Sequence, residues 1–106
     1  MRKPETRLVA KILMALHQSV GGYWVKVHGS PYQRVGLPDL IGCVQGLFIG
    51  LEVKLPGGDY EPIQRHEAGR IIRQGKGIAA CVHSPEEAIA IVHKGVRRKK
   101  ADDQQL

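Results

Sequence analysis

The sequence predicts an α/β domain with a mixed sheet, and three observations carry that prediction. Apolar residues recur at helical spacing near the N-terminus, they gather into strand-length runs from residue 23 to residue 54 and again at 78–83, and the elements read in the order α-β-β-β-α-β-α. A chain of 106 residues is long enough for one such domain and too short for two.

The first helix is expected over Pro4–Ser19. Leu8, Val9, Ile12, Leu13 and Leu16 fall at i, i+3/i+4 spacing, Pro4 suits a first helical turn, and Gly21-Gly22 ends the pattern. Tyr23–His28 alternates aromatic or β-branched residues with Lys26 and reads as a short strand, followed by a loop that starts at Gly29-Ser30-Pro31 and runs through Tyr32, Gln33 and Arg34. From Asp39 to Lys54 two apolar runs flank Gln45-Gly46, the pattern of a β-hairpin, although Asn-Gly or Asp-Gly is the stronger turn signal. The second run places Leu47, Ile49, Leu51, Val53 and Leu55 on one face and Phe48, Gly50, Glu52 and Lys54 on the other, so one face is expected to be core and the other to carry charge.

Beyond the loop Pro56-Gly57-Gly58, Pro62 with Ile63, Ile71 and Ile72 predicts a helix ending near Gly75, and Ile78–His83 is a further strand. The last helix is expected to start at an Ser84 N-cap with Pro85 at its first position and Glu87 completing a capping box, and to stop at Gly95. Arg97, Arg98, Lys99 and Lys100 then form a basic cluster in a tail expected to fray.

Composition excludes several classes of function. With 42% hydrophobic and 25% charged residues and no apolar run near the roughly 20 residues of a membrane-spanning helix, a soluble protein is expected. The N-terminus lacks the apolar stretch of a signal peptide, which makes the cytoplasm of a bacterial or phage-infected cell the expected compartment. Cys43 and Cys81 sit in apolar segments without metal-binding spacing and are expected to be reduced core residues. The histidines 17, 28, 66, 83 and 93 form no metal-binding helix pair and no phosphodiesterase element, and the stretch Gly69–Lys76 fails the spacing of a phosphate-binding loop. A formal charge of +6 points to a polyanionic partner, weakly when taken alone.

The chemistry gathers in the hairpin. If Gln45 and Gly46 are the turn, paired positions sum to 91 and Asp39 stands opposite Glu52, with Lys54 two residues on along the same face. A longer turn or a bulge shifts that register. Two facing carboxylates repel unless they share a cation, and oxygen ligands in small number suit Mg²⁺ or Mn²⁺, which keep waters and accept phosphate oxygens. The competing reading makes Asp39 a loop residue and Glu52 with Lys54 a solvated strand face.

Gly36-Leu37-Pro38-Asp39-Leu40 followed by Glu52-Val53-Lys54 resembles the signature of the PD-(D/E)XK nucleases, and specifically the virus-type replication-repair (VRR-NUC) family in its stand-alone phage and bacterial form. The resemblance covers nearly the whole chain, giving a nuclease domain over 1–96 and a basic, polar tail over 97–106. It implies a restriction-endonuclease-like α-β-β-β-α-β core, here with one extra C-terminal helix. It also implies Mg²⁺- or Mn²⁺-dependent cleavage of DNA, with Asp39, Glu52, Lys54, Glu5 and Gln64 as catalytic residues. The metal would take Asp39, Glu52, the backbone carbonyl of Val53, and Glu5 through water. Glu5 has a competing reading as a first-turn acid favoured by the helix dipole, and Gln64 as a surface residue. Ser30, Tyr32, Gln33 and Arg34 in the loop, with Arg97, Arg98, Lys99 and Lys100, are candidates for DNA contact, against a plain surface loop and a solvated tail. The expected activity is that of a homodimer on four-way or otherwise branched DNA. A catalytically silent DNA-binding module and a sequence-specific restriction-type endonuclease are the alternatives.

Overall fold

The computed structural model describes residues 3–31 and 33–105. Its elements follow the expected order: α1 (Pro4–Ser19), β1 (Tyr23–Lys26), β2 (Leu40–Val44), β3 (Leu47–Val53), α2 (Pro62–Arg73), β4 (Ile78–Val82) and α3 (Pro85–Gln104). The strands form one sheet in the order β1-β2-β3-β4. The first two pairings are antiparallel and β3 pairs β4 in parallel, as the helical crossover through α2 requires.

The hairpin between β2 and β3 sets the register of everything downstream. Gln45 and Gly46 take φ values of 50° and 82°, the two left-handed positions of a type I′ turn, and Leu40 pairs with Leu51 and Val44 with Leu47. The expected sum of 91 therefore holds. Gly46 adopts its conformation freely, whereas Gln45 does so at a steric cost.

One sheet face buries Trp24, Leu40, Val44, Ile49, Leu51, Val53 and Val82 together with Val9, Ile12 and Leu16 of α1 and Ala88, Val92 and Val96 of α3. Alternation puts these strand residues on one side, and the two helices cover it. Trp24 lies over Gly42, where an added Cβ would come within 2.3 Å of the indole, and its Nε1 donates to the Gly21 carbonyl at 2.7 Å. The other face is covered by α2 only along β3 and β4, where Ile71 and Pro38 approach Gly50 so closely that a Cβ there would lie 2.8 Å from each.

Several expectations need correction. β1 ends at Lys26, two residues early, because β2 begins at Leu40 and only the bond from Val27 N to Asp39 O continues the ladder. α3 does not stop at Gly95 but runs to Gln104, so Arg97–Lys100 are helical. Gly95 is there for close packing, since a Cβ would sit 2.8 Å from Ile78 Cδ1. Only half of the expected capping box forms: Ser84 Oγ accepts from Glu87 N, while the Glu87 carboxylate turns to His83. Cys43 is exposed and Cys81 half-buried, so neither is a core residue, although both are free thiols. Leu55 is exposed and lies beyond the strand, and Glu52, on the face expected to carry charge, is buried.

Candidate active site

The site is built where the ends of the hairpin strands meet α2. Asp39 immediately precedes β2, and its main-chain carbonyl accepts from Val27 N at 2.8 Å. Its Oδ2 accepts from Val53 N at 2.8 Å. Asp39 is thereby tied to β1 on one side and β3 on the other. In the ladder, the carbonyl of Val53 lies on the same strand edge as that N–H, facing the Asp39 side.

Glu52 is the exceptional residue of the site. It is 4% exposed, and its Oε1 is buried with no hydrogen-bond partner among the described residues. Its Oε2 lies 3.6 Å from Lys54 Nζ and accepts from Gln64 Nε2 at 3.2 Å. Burial, and after it the neighbouring Asp39 carboxylate, push the Glu52 pKa up to about 8; Glu5 adds to the rise and Lys54 opposes it. Leaving a buried carboxylate oxygen unpartnered is costly, and such groups call for an explanation such as an ion.

Gln64 is placed by its own helix end. Its Oε1 accepts from Glu61 N at 2.8 Å, the side-chain half of a capping box whose N-cap is Glu61, and this leaves Nε2 free to reach Glu52. Gln64 thus touches Glu52 and is not a plain surface residue. Glu5, in the first turn of α1, is close enough to raise the Glu52 pKa, but no hydrogen bond or ion pair joins its carboxylate to another described residue.

The donor set fits a hard divalent cation of few protein ligands. Two carboxylates, one of them with a buried free oxygen, and a main-chain carbonyl are oxygen donors only, which suits Mg²⁺ or Mn²⁺ over softer ions. Among the described residues, no group of three or more His, Cys, Asp or Glu side chains converges as a ready-made metal site. Glu5 therefore does not stand as a third direct ligand.

Of the loop residues, Arg34 donates to Glu67 Oε1 on α2 at 2.6 Å, and Arg70 shares that oxygen at 3.6 Å. Gly36, at φ 91°, lets the loop run against the Ile63 carbonyl, which an added Cβ would approach to 2.8 Å. Ser30, Gln33 and Arg34 border a cavity of about 240 Å³ that reaches Asp39. Tyr32 lies outside the described residues. Arg97–Lys100 are not part of the site. They sit at the opposite end of the sheet, where Lys99 reaches toward Gly46, and Glu52 lies six residue steps along β3 from Gly46, about 20 Å.

Comparison with solved structures finds two similar proteins of one description. One structure described as a VRR_NUC domain superposes with a TM-score of 0.67 at 26% identity, covering 87% of this chain and 97% of its own. A second, a VRR_NUC domain protein, gives 0.63 at 18% identity, over 92% and 91%. The chain resembles the VRR_NUC proteins in fold and extent. No family model matches the sequence, and no curated protein matches it. The likeness supports a nuclease-type function with DNA as the partner. No helix among the described residues is long and apolar enough to cross a membrane.

Sequence reasoning missed several residues of this site. Tyr60 lies by Glu52 and Cys81, and burial beside them pushes its phenol up to about 12. His83 joins the Gly58 carbonyl at 2.7 Å and Glu87 at 3.2 Å, tying the loop after Lys54 to the start of α3. The Gly58 hydrogen bond raises the His83 pKa. Glu61 at the start of α2 carried a legible signal, since Glu61-Pro62 followed by Gln64 has the spacing of a capping box. Tyr60 and His83 carried none, because their loops meet the sheet only in the folded chain.

Proposed function

We propose that this chain is a metal-dependent DNA endonuclease centred on Asp39, Glu52 and Lys54. The observation that carries the reading is the buried, unpartnered Oε1 of Glu52, set between Asp39 and Lys54 in a fold shared with VRR_NUC proteins. Asp39, Glu52 and the Val53 carbonyl would hold a Mg²⁺ or Mn²⁺, which would supply Lewis acidity at the phosphate and a more acidic water. The chain's own residues do the rest. Val53 N–H holds Asp39 in place, Gln64 orients Glu52, and the Lys54 ammonium offers positive charge where the phosphate gains negative charge in the transition state. Glu5 acts at longer range, through water.

The substrate we propose is branched DNA, cut by a homodimer. The part of the sheet that α2 leaves uncovered presents Tyr23, Val25, Cys43 and Phe48, which share a face through the β1–β2–β3 register; Tyr23 is 71% exposed. An apolar patch of this kind on so small a domain supports burial against a second copy. Two sites and a charge of +6 per chain suit a two-fold substrate gripped through phosphates. Ser30, Gln33 and Arg34 flank the Asp39 side of the strand to be cut, and Arg97, Arg98, Lys99 and Lys100 add phosphate contacts some distance away.

The test is a panel of linear, flap, fork and four-way-junction DNA incubated with purified protein, with and without Mg²⁺ or Mn²⁺. Paired nicks in opposed strands of the junction, lost in EDTA, are expected. Cleavage that survives exhaustive chelation rejects the metal, and cleavage of linear DNA alone rejects the branched substrate.

A further inference from the structure

We propose that the outer edge of β4, in the groove between α2 and α3, receives an extended segment of a partner protein as an added strand, one that alternates acidic with apolar side chains. A cavity of about 620 Å³ lies there, away from Glu52. The order β1-β2-β3-β4 leaves β4 as an edge with no strand beyond it among the described residues. Lys54 N donates to Val82 O, so Val82, Ala80 and Ile78 turn their main-chain groups to β3, and Ala79 and Cys81 turn theirs outward.

Edge strands are ordinarily protected by charge, proline or a covering element. β4 reads Ile-Ala-Ala-Cys-Val and has none of the first two. The flanking helices do not cover its edge but form walls beside it, with Ile72 of α2 on one side and Ile91, Lys94 and Gly95 of α3 on the other. Small side chains at Ala79 and Ala80 keep the floor low enough for another backbone. This is the geometry in which an extended peptide gains main-chain hydrogen bonds and side-chain pockets together.

Charge selects the occupant. Lys76, Lys94 and Arg98 line the groove, and none of them makes an ion pair with another described residue. Asp103 is occupied by Lys99 at 2.7 Å, which leaves Asp102 as the one unpaired acid among the described lining residues. Duplex DNA would satisfy the cations but could neither bury the isoleucines nor pair with a strand edge. A second copy joined edge to edge would bring the same cations together. An acidic, apolar strand meets all three demands.

The probe is a fluorescein-labelled peptide of about six residues, a usual strand length, alternating Asp with Val, alongside the same peptide N-methylated at alternate residues. Binding is read by anisotropy, and occupancy by amide hydrogen exchange at Ala79 and Cys81. The proposal expects both amides to become protected, on the order of tenfold weaker binding in the Lys94→Glu/Arg98→Glu double variant, and no binding by the methylated peptide. Both substituted side chains are exposed, and an unchanged circular dichroism spectrum confirms the fold. Absence of protection, or equal binding of the methylated peptide, overturns it. So does protection of the same two amides by duplex DNA, or by raised protein concentration alone, since the occupant is then nucleic acid or a second copy.

Discussion

Glu52→Gln should stabilise the metal-free protein at alkaline pH while removing its cleavage activity. In the folded chain the Glu52 carboxyl holds its proton up to about pH 8, against an ordinary value of 4.5 in the unfolded chain. Between those values the folded state binds more protons than the unfolded state, so stability is greatest below 4.5 and falls as pH rises through 8. At 1.36 kcal/mol per pKa unit the loss reaches up to about 5 kcal/mol, shared with the coupled Asp39 carboxylate. Glutamine keeps the shape and the room for a Gln64 contact but carries no charge to desolvate. Urea unfolding of both proteins in EDTA, at intervals from pH 5 to pH 9, isolates the effect as a difference, because His83 and other titrating groups are common to both. The variant is expected to gain steadily on the parent chain as pH rises. Parallel stability profiles would refute the reasoning, since Glu52 would then not be ionising in a buried site. Adding Mg²⁺ should reverse the trend in the parent alone, as the cation displaces the proton.

Lys54→Ala is expected to lower cleavage by about 10²–10³-fold, the usual loss for a group that stabilises transition-state charge, with Mn²⁺ binding by calorimetry preserved. Gly42→Ala should destabilise the fold by about 1–3 kcal/mol in denaturant titrations, because the new methyl must displace the Trp24 ring. Gln45→Asn should raise stability by up to about 1 kcal/mol, measured in the same way, by placing a residue that tolerates the left-handed conformation at φ 50°. Replacing Arg97, Arg98, Lys99 and Lys100 together should flatten the salt dependence of DNA binding, and an unchanged slope would assign them to the solvated surface.

The sequence alone determined the order of the elements, the start of each helix, the hairpin register and hence the facing of Asp39 and Glu52. Each rests on short-range rules: helical spacing in α1, proline at the first helical turn, and period-two alternation around a turn whose second residue is glycine. Tertiary structure alone decided what those rules cannot reach. Alternation implied a charged face for Glu52 but not its burial; α2 crosses that face and buries it, and the shifted pKa follows from that burial. Gly95 read as a stop and is instead a close-packing position against Ile78, because packing area gained along α3 outweighs one poor helix former. Arg34 read only as a candidate for DNA contact, and its pairing with Glu67 depends on a loop folding back across 33 residues of chain. Tyr60 and His83 reach the site by the same kind of long-range packing. Side-chain periodicity is local and survives in the sequence, whereas burial and partner choice belong to surfaces that exist only once the elements have met.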